Sequence, residues 1–190
     1  MYGPLFPWLN NQMNLEKKIK EDLKMKVREL KSLGEKELKQ LSVLLADAVN
    51  SGASIGFLPP MDEAAALSYW KELQLKETAL LIAEEEGMIA GSVQLQFCTK
   101  ENGTHRAEIG KLMTHTNFRR KGIGRRLMEA AEKRAMDDGV SLIVLDTREG
   151  DPSNLLYRSL GYTESGMIPC YARSEDGSLH TTVFYYKLLS

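Results

Sequence analysis

The chain is short of the residues that build metal and disulfide chemistry. Only two cysteines, Cys98 and Cys170, and three scattered histidines, His105, His115 and His180, occur in 190 residues. Both cysteines fall in strand-like segments without clustered histidines, so neither a zinc site nor a disulfide framework is expected. No apolar run approaches the roughly 20 residues needed to span a bilayer, and no signal peptide is evident. An excess of either charge is missing too. Twenty-five Lys and Arg against 26 Asp and Glu leave a net charge of −1, which excludes global attraction to nucleic acid or a membrane surface. Internal repeats and low-complexity segments are absent. The expected compartment is the cytoplasm.

What remains is ordinary globular composition, 43% hydrophobic and 27% charged, in a chain long enough for one domain with a full core. Residues 1–23 differ from the rest: MYGPLFPWLNNQ is loop-like, and LEKKIKED is highly charged. This extension reads as an extra helix, a dimer arm or a disordered lead. The regular domain is expected over 24–190, beginning with the alternating strand KMKVRELK. Leu38, Leu41, Leu44, Leu45 and Ala48 form a helical stripe over 35–49. SGASIGFLPP (51–60) then forces extended backbone, a place suited to substrate contacts as well as to plain connection. Asp62 reads as the N-cap of a second helix over 64–75, whose Tyr69 and Trp70 are either core or pocket lining.

Residues 78–84 and 88–99 flank EEEG as a hairpin, and 106–114 form the next strand. A helix over 122–138 ends at Gly139. The apolar strand 141–147, finishing with Asp146, follows and makes a parallel β-α-β unit with the strand before it. A short helix over 153–160 closes at Gly161, and 162–172 with 179–188 form a terminal hairpin. Of the adjacent Tyr185 and Tyr186, at most one faces any given side. The fold class is mixed α/β, a central sheet of about seven strands flanked by helices.

The informative stretch is EIGKLMTHTNFRRKGIGRRL at 108–127. A strand runs into a cationic, glycine-containing turn, Arg119, Arg120, Lys121, Gly122, Ile123, Gly124 and Arg125, and then into a helix. That order aims unpaired backbone N–H groups at one spot, where the helix dipole adds about half a positive charge. Anionic phosphate is the natural occupant. A Walker loop needs a Gly-Lys-Ser/Thr ending, which is absent. The dinucleotide fingerprint fails at its third glycine, which is Leu127 here, and residues 117–121 separate strand from glycines. The third pattern, R-x-x-G-x-G after a strand, is met by Arg119, Gly122 and Gly124.

That pattern resembles the pyrophosphate loop of the GCN5-related N-acetyltransferases, the GNAT superfamily. LIVLD after the helix and LLYRSLGY at 155–162 extend the likeness, which covers 24–189. A closer similarity is to the tabtoxin resistance acetyltransferases and their relatives, carried by SGASIGFLPP, HRAEIGKLM (105–113), LDTREG (145–150) and EDGSLHTTVFYYKLL (175–189). One departure stands out. Gly150 occupies the place where many members carry a cofactor-contacting asparagine, and Asn154 is out of register, so that contact is not expected.

The resemblance implies the GNAT fold and an acetyl-CoA-dependent N-acetyltransferase acting on a primary amine of a small, amino-acid-like toxin, antibiotic or metabolite. A protein N-terminus or lysine is the alternative acceptor, and a non-catalytic acyl-CoA-binding module the alternative activity. A homodimer is the superfamily's usual habit. Residues 119–125 would hold the pyrophosphate. Pantetheine would lie along Leu112, Met113 and Thr114 as an added strand, with a backbone N–H such as that of Met113 on the acetyl oxygen. Such a donor contributes about 3–4 kcal/mol to catalysis. Tyr157 is the candidate acid for the departing thiolate, its reference pKa near 10 lying above that of a thiol. In the resembling proteins an aspartate at the spacing of Asp146 is the base. With a reference pKa of about 3.9 it would act after burial, through a water, or only by orienting the ammonium. Glu108 and Glu84 are the other carboxylates at strand ends. Neither cysteine stands at a thioester position, so direct attack in a ternary complex is expected.

Overall fold

The computed structural model describes residues 25–190; the expectations for the extension 1–23 and for Lys24 lie outside the described residues. Seven strands form one sheet: β1 (Met25–Leu30), β2 (Thr78–Glu85), β3 (Met88–Phe97), β4 (Arg106–Thr114), β5 (Leu142–Arg148), β6 (Thr163–Arg173) and β7 (Leu179–Leu188). Four α-helices accompany them: α1 (Glu35–Asn50), α2 (Glu63–Glu72), α3 (Ile123–Asp137) and α4 (Ser153–Ser159). The strand order is β1-β2-β3-β4-β5-β7-β6, antiparallel except for the β4–β5 pair. No helix among the described residues is long and apolar enough to cross a membrane.

The two faces of the sheet bury different helices. The stripe of α1 places Leu41, Leu44, Leu45 and Ala48 against Leu80 and Ile82 of β2, with Trp70 of α2 closing the cluster. Trp70 is fully buried and donates its indole N–H to the Leu41 carbonyl at 2.9 Å, so this tryptophan is core. Asp62 caps α2 by accepting from the Ala65 N–H at 2.7 Å, as its position predicts. That helix ends at Glu72, three residues sooner than the sequence suggests, because Leu73 is already extended. On the other face Ile123, Leu127, Ala131 and Ala135 of α3 pack on Val93, Leu95 and Ile109. Gly139 ends α3 in the left-handed region, and the Val140 N–H returns to the Ala135 carbonyl at 3.0 Å.

Strand β4 changes faces part-way. Gln94 of β3 pairs with Gly110, but Ser92 pairs with Met113, so β4 carries one extra residue. Lys111 takes a positive φ of 51° there. Ala107 and Ile109 belong to the α3 face, whereas Met113 is buried with α1 and α2. Simple alternation would have kept all three on one side.

Gly91 sets how closely α3 approaches the sheet. A Cβ there would lie 2.7 Å from the Met113 carbonyl oxygen and 2.8 Å from Ile123 Cγ2. Gly91→Ala should therefore lower unfolding stability by about 2 kcal/mol through overpacking. Urea denaturation checks this, and an unchanged midpoint would show that helix and strand separate freely.

Candidate active site

The β4–β5 pairing ends early. Only Arg106, Ala107 and Glu108 pair with Leu142, Ile143 and Val144, after which the strands part. Residues 109–114 have no strand partner on that edge among the described residues. Every second N–H and C=O along it points into the gap. Leu112, Met113 and Thr114 lie on this edge, with the Met113 side chain buried and those of its neighbours half-buried.

The cationic turn stands at the wide end of the gap. His115 N–H bonds the Ala90 carbonyl at 2.9 Å, and a short 3-10 turn, Thr116–Phe118, follows. Asp47 of α1 holds that turn by accepting from both the Thr116 N–H and its hydroxyl, each at 2.8 Å. The chain then reaches Gly122 in the left-handed region at φ 77°, with Arg120 likewise at φ 67°. Gly122 precedes α3 without a side-chain cap, so the first-turn N–H groups of Ile123, Gly124 and Arg125 are left for an external acceptor. At Gly124 a Cβ would press on Leu156 at 3.3 Å, and glycine keeps the backbone open to approach.

Much of the turn's charge is already engaged. Arg119 donates to the Ser51 hydroxyl, Lys121 pairs with Glu85 at 3.1 Å, and Arg125 donates to the Ser159 hydroxyl at 2.7 Å. Arg120 is exposed with no ion pair to a described residue. The main chain, with Arg120, is thus the part best suited to grip an anion.

Asp146 and Tyr157 approach the gap from opposite faces. Asp146 lies within β5, opposite Phe184 of β7, and not at the strand's end as its sequence position suggests. It stands two residues beyond the last pair with β4. Although open to solvent on one side, its carboxyl is held above the ordinary aspartate range by partial burial, opposed by the charge of Lys111. Tyr157, on α4, is 95% buried by surface between Tyr162 and Tyr185, each ring 5.9 Å away. Burial and then the charge of Asp146 push its hydroxyl well above the usual phenol range. It stays protonated, and it makes no hydrogen bond to a described residue. Of the two adjacent tyrosines, Tyr185 is the one on this side; its hydroxyl donates to Asn154 at 2.8 Å. Asn154 in turn donates to the carbonyls of Arg148 and Asp151, which accounts for its burial without a cofactor role.

Tyr69, which the sequence left as core or pocket lining, lies on the α1–α2 side beside Gln94 and Lys111, which the sequence did not single out. Tyr69 donates to Gln94 at 3.0 Å and meets the Phe57 ring edge-on at 5.2 Å. The Lys111 ammonium stands over Phe57, 5.4 Å from the ring centroid. Glu108 is exposed at the narrow end of the gap, while Glu84 is far from it, paired with Arg28 at 2.9 Å. Among the described residues no group of His, Cys, Asp and Glu is arranged to hold a metal ion.

A strand splayed from its parallel neighbour beside an uncapped helix is the frame of a known group, and the sequence agrees. Residues 48–162, more than half of the chain, match the model of the acetyltransferase (GNAT) family. The chain belongs to that family. Solved GNAT-type structures share its fold. The ribosomal-protein-alanine N-acetyltransferase of Brucella melitensis superposes with a TM-score of 0.73 at 23% identity, covering 86% of this chain and 99% of that one. The yncA protein of Salmonella typhimurium, provisionally described as an acetyltransferase and solved with its cofactor acetyl-CoA, gives 0.72 at 20% identity, with 88% and 95% covered. A structure provisionally described as a phosphinothricin N-acetyltransferase gives 0.74 at 20% identity, with 87% and 99% covered. Acetyl-CoA is accordingly the acetyl donor of this GNAT enzyme. The open cradle at Gly122 and Gly124 and the uncapped α3 terminus fit its pyrophosphate.

Asp47 is the structural support of that cradle. Asp47→Ala removes two hydrogen bonds that fix the 3-10 turn, so acetyl-CoA affinity should fall about tenfold. Calorimetric titration reads this directly, and an unaltered Kd would show that the turn holds its shape unaided.

Proposed function

We propose that this GNAT enzyme acetylates a primary amine on a small, amino-acid-like molecule such as a toxin, an antibiotic or a metabolite. What supports the reading is the position of Asp146 two residues past the last β4–β5 pair, with Tyr157 on the opposite face near enough for the aspartate's charge to act on its hydroxyl. A carboxylate with a raised pKa and a hydroxyl without an internal partner there make an acid–base pair. The structure provisionally described as a phosphinothricin N-acetyltransferase supports a small acceptor. So do the stretches that resemble the tabtoxin resistance acetyltransferases. The ribosomal-protein-alanine N-acetyltransferase instead favours a protein N-terminus. Here the 51–60 loop sets Phe57 edge-on against Tyr69 and beneath the Lys111 ammonium, an aromatic wall that suits a compact molecule.

When bound, acetyl-CoA supplies an acetyl group already activated as a thioester. The N–H groups of Ile123, Gly124 and Arg125 would hold its pyrophosphate, with Arg120 supplying charge beside Gly122, since Arg119 and Lys121 are already engaged by Ser51 and Glu85. The free edge of Leu112, Met113 and Thr114 would orient the rest of the cofactor, and a main-chain donor there would favour charge developing on the acetyl oxygen. Asp146 attracts the acceptor ammonium and accepts its proton, directly or through one water. The raised pKa improves it as a base over an ordinary aspartate. Tyr157 would supply the proton to the departing thiolate. Its elevated pKa makes it a weak acid that is always protonated when needed. Cys98 sits on Arg106 at the foot of β4 and Cys170 is exposed on β6, so neither is placed to carry the acetyl group.

Two substitutions test these roles. Tyr157→Phe should lower kcat about a hundredfold with little change in acetyl-CoA affinity. Equal kcat would remove the tyrosine from proton transfer. For the wild type, kcat/KM should rise with pH as Asp146 loses its proton, with a midpoint above about 3.9, the ordinary aspartate value. Burial favours the protonated form, so the limb moves up and not down. In Asp146→Asn that limb should vanish; a profile that keeps it would assign the base elsewhere.

A further inference from the structure

Lys111 is the residue that the bulge adds to β4, and its backbone takes φ 51° to accommodate it. A lysine gains nothing locally from that region, which favours glycine. The conformation fixes where the side chain goes. Its ammonium reaches across to the 51–60 loop, over the Phe57 ring, and a Cβ on Gly56 would lie only 3.4 Å from Nζ. It makes no hydrogen bond or ion pair with any described residue. An ammonium has three N–H donors, and one ring face replaces only part of the water it has lost. Burial draws the lysine below its ordinary pKa, opposed by the charges of Asp146 and Glu108. Those two carboxylates influence the ammonium from the strands that bound the gap without closing on it.

We propose that Lys111 is the anion subsite of the acceptor pocket, binding a carboxylate that the acceptor carries beside the amine to be acetylated. The proposal rests on the amine-acetylating reading given above. The pocket offers a cation on one wall and Asp146 on another, so an α-amino acid presents each of its charges to the opposite one. Lys111 with Asp146 and Glu108 leaves the cleft one negative charge in excess. A dianionic phosphate would meet more repulsion than a carboxylate there, and a diamine would set a second cation against Lys111. Space is kept at Gly110, where a Cβ would find Gln96 Nε2 no nearer than 3.9 Å. The hydrogen-bonded Tyr69 and Gln94 provide a polar floor, with Phe57 as its apolar side. A charge-assisted bond at a half-buried lysine is strong enough to decide between otherwise equal acceptors.

The test is acetyl-CoA-dependent CoA release with L-alanine, L-serine, L-lysine and L-glutamine, each beside its carboxamide. The amides have the more easily deprotonated amines, so without an anion subsite they would be the better acceptors. The wild type should prefer the acids by at least about tenfold in kcat/KM, mainly through KM. Lys111→Met, an unbranched replacement with the same backbone demand, should bring the acid-to-amide ratio to within about twofold, and Lys111→Arg should restore most of it. Calorimetric titration of each pair into the CoA-saturated protein should show the same order. Should the methionine variant fail to fold, the wild-type ratio and the arginine variant decide. Amides used as well as acids by the wild type, or a preference untouched by Lys111→Met, would overturn the proposal while leaving amine acetylation standing. Absence of CoA release from every pair would remove the amine-acetylating reading itself and the subsite with it.

Discussion

The structure depends on two strands that begin to pair and then stop. After Glu108 and Val144 the parallel contact ends, and β4 runs on to Thr114 with one edge unmatched. An unpaired strand edge inside a domain is costly unless something completes it, because buried N–H and C=O groups need partners. The bulge at Lys111 makes the separation possible. By inserting one residue it turns Met113 into the α1–α2 core, which anchors the far end of β4 while its middle swings away from β5. The gap is thus held open by packing on both sides.

The elements around the gap each take a share of the chemistry. Helix α3 brings its uncapped N-terminus to the wide end, and Gly91 lets it lie close enough to the sheet to do so. Asp47 on α1 holds the turn that leads into it. Helix α4 follows β5 directly, which sets Tyr157 among the tyrosines on one face while Asp146 looks out from the other. The 51–60 loop supplies Phe57 as an aromatic wall on the acceptor side. In the proposed arrangement cofactor and acceptor would meet through the sheet, the donor along the strand edge and the acceptor from the α1–α2 side. Burial raises the pKa of both groups proposed for proton transfer, with opposite effects on their fitness for those roles. It helps an aspartate that must accept and weakens a tyrosine that must give.

Local patterns made most of the fold readable. The stripe of α1, the Asp62 cap, the glycine after α3 and the turn chemistry of the hairpins are written in neighbouring residues, and the elements they predict are present within a few positions. The R-x-x-G-x-G stretch is equally local, since glycines and cations of one short segment define it. What could not be read depends on distant partners. The reversal of Met113 follows from a bulge set by pairing with β3, and no periodicity in KLMT reveals it. Asp47 looks like any polar residue on a helix until Thr116, far along the chain, is brought to it. Asn154 resembles a misplaced cofactor ligand, yet it is spent on Tyr185 and two carbonyls. Lys111 gave the weakest signal of all, since only the three-dimensional arrangement shows its ammonium without a partner.

The most direct measurement of the central claim is amide hydrogen exchange across the chain with and without acetyl-CoA. If the free edge of β4 and the start of α3 receive the donor, exchange should slow at 109–114 and 122–125 and change little in β1, β6 and β7. Slowing confined to other segments, or no change under saturating acetyl-CoA, would contradict the account.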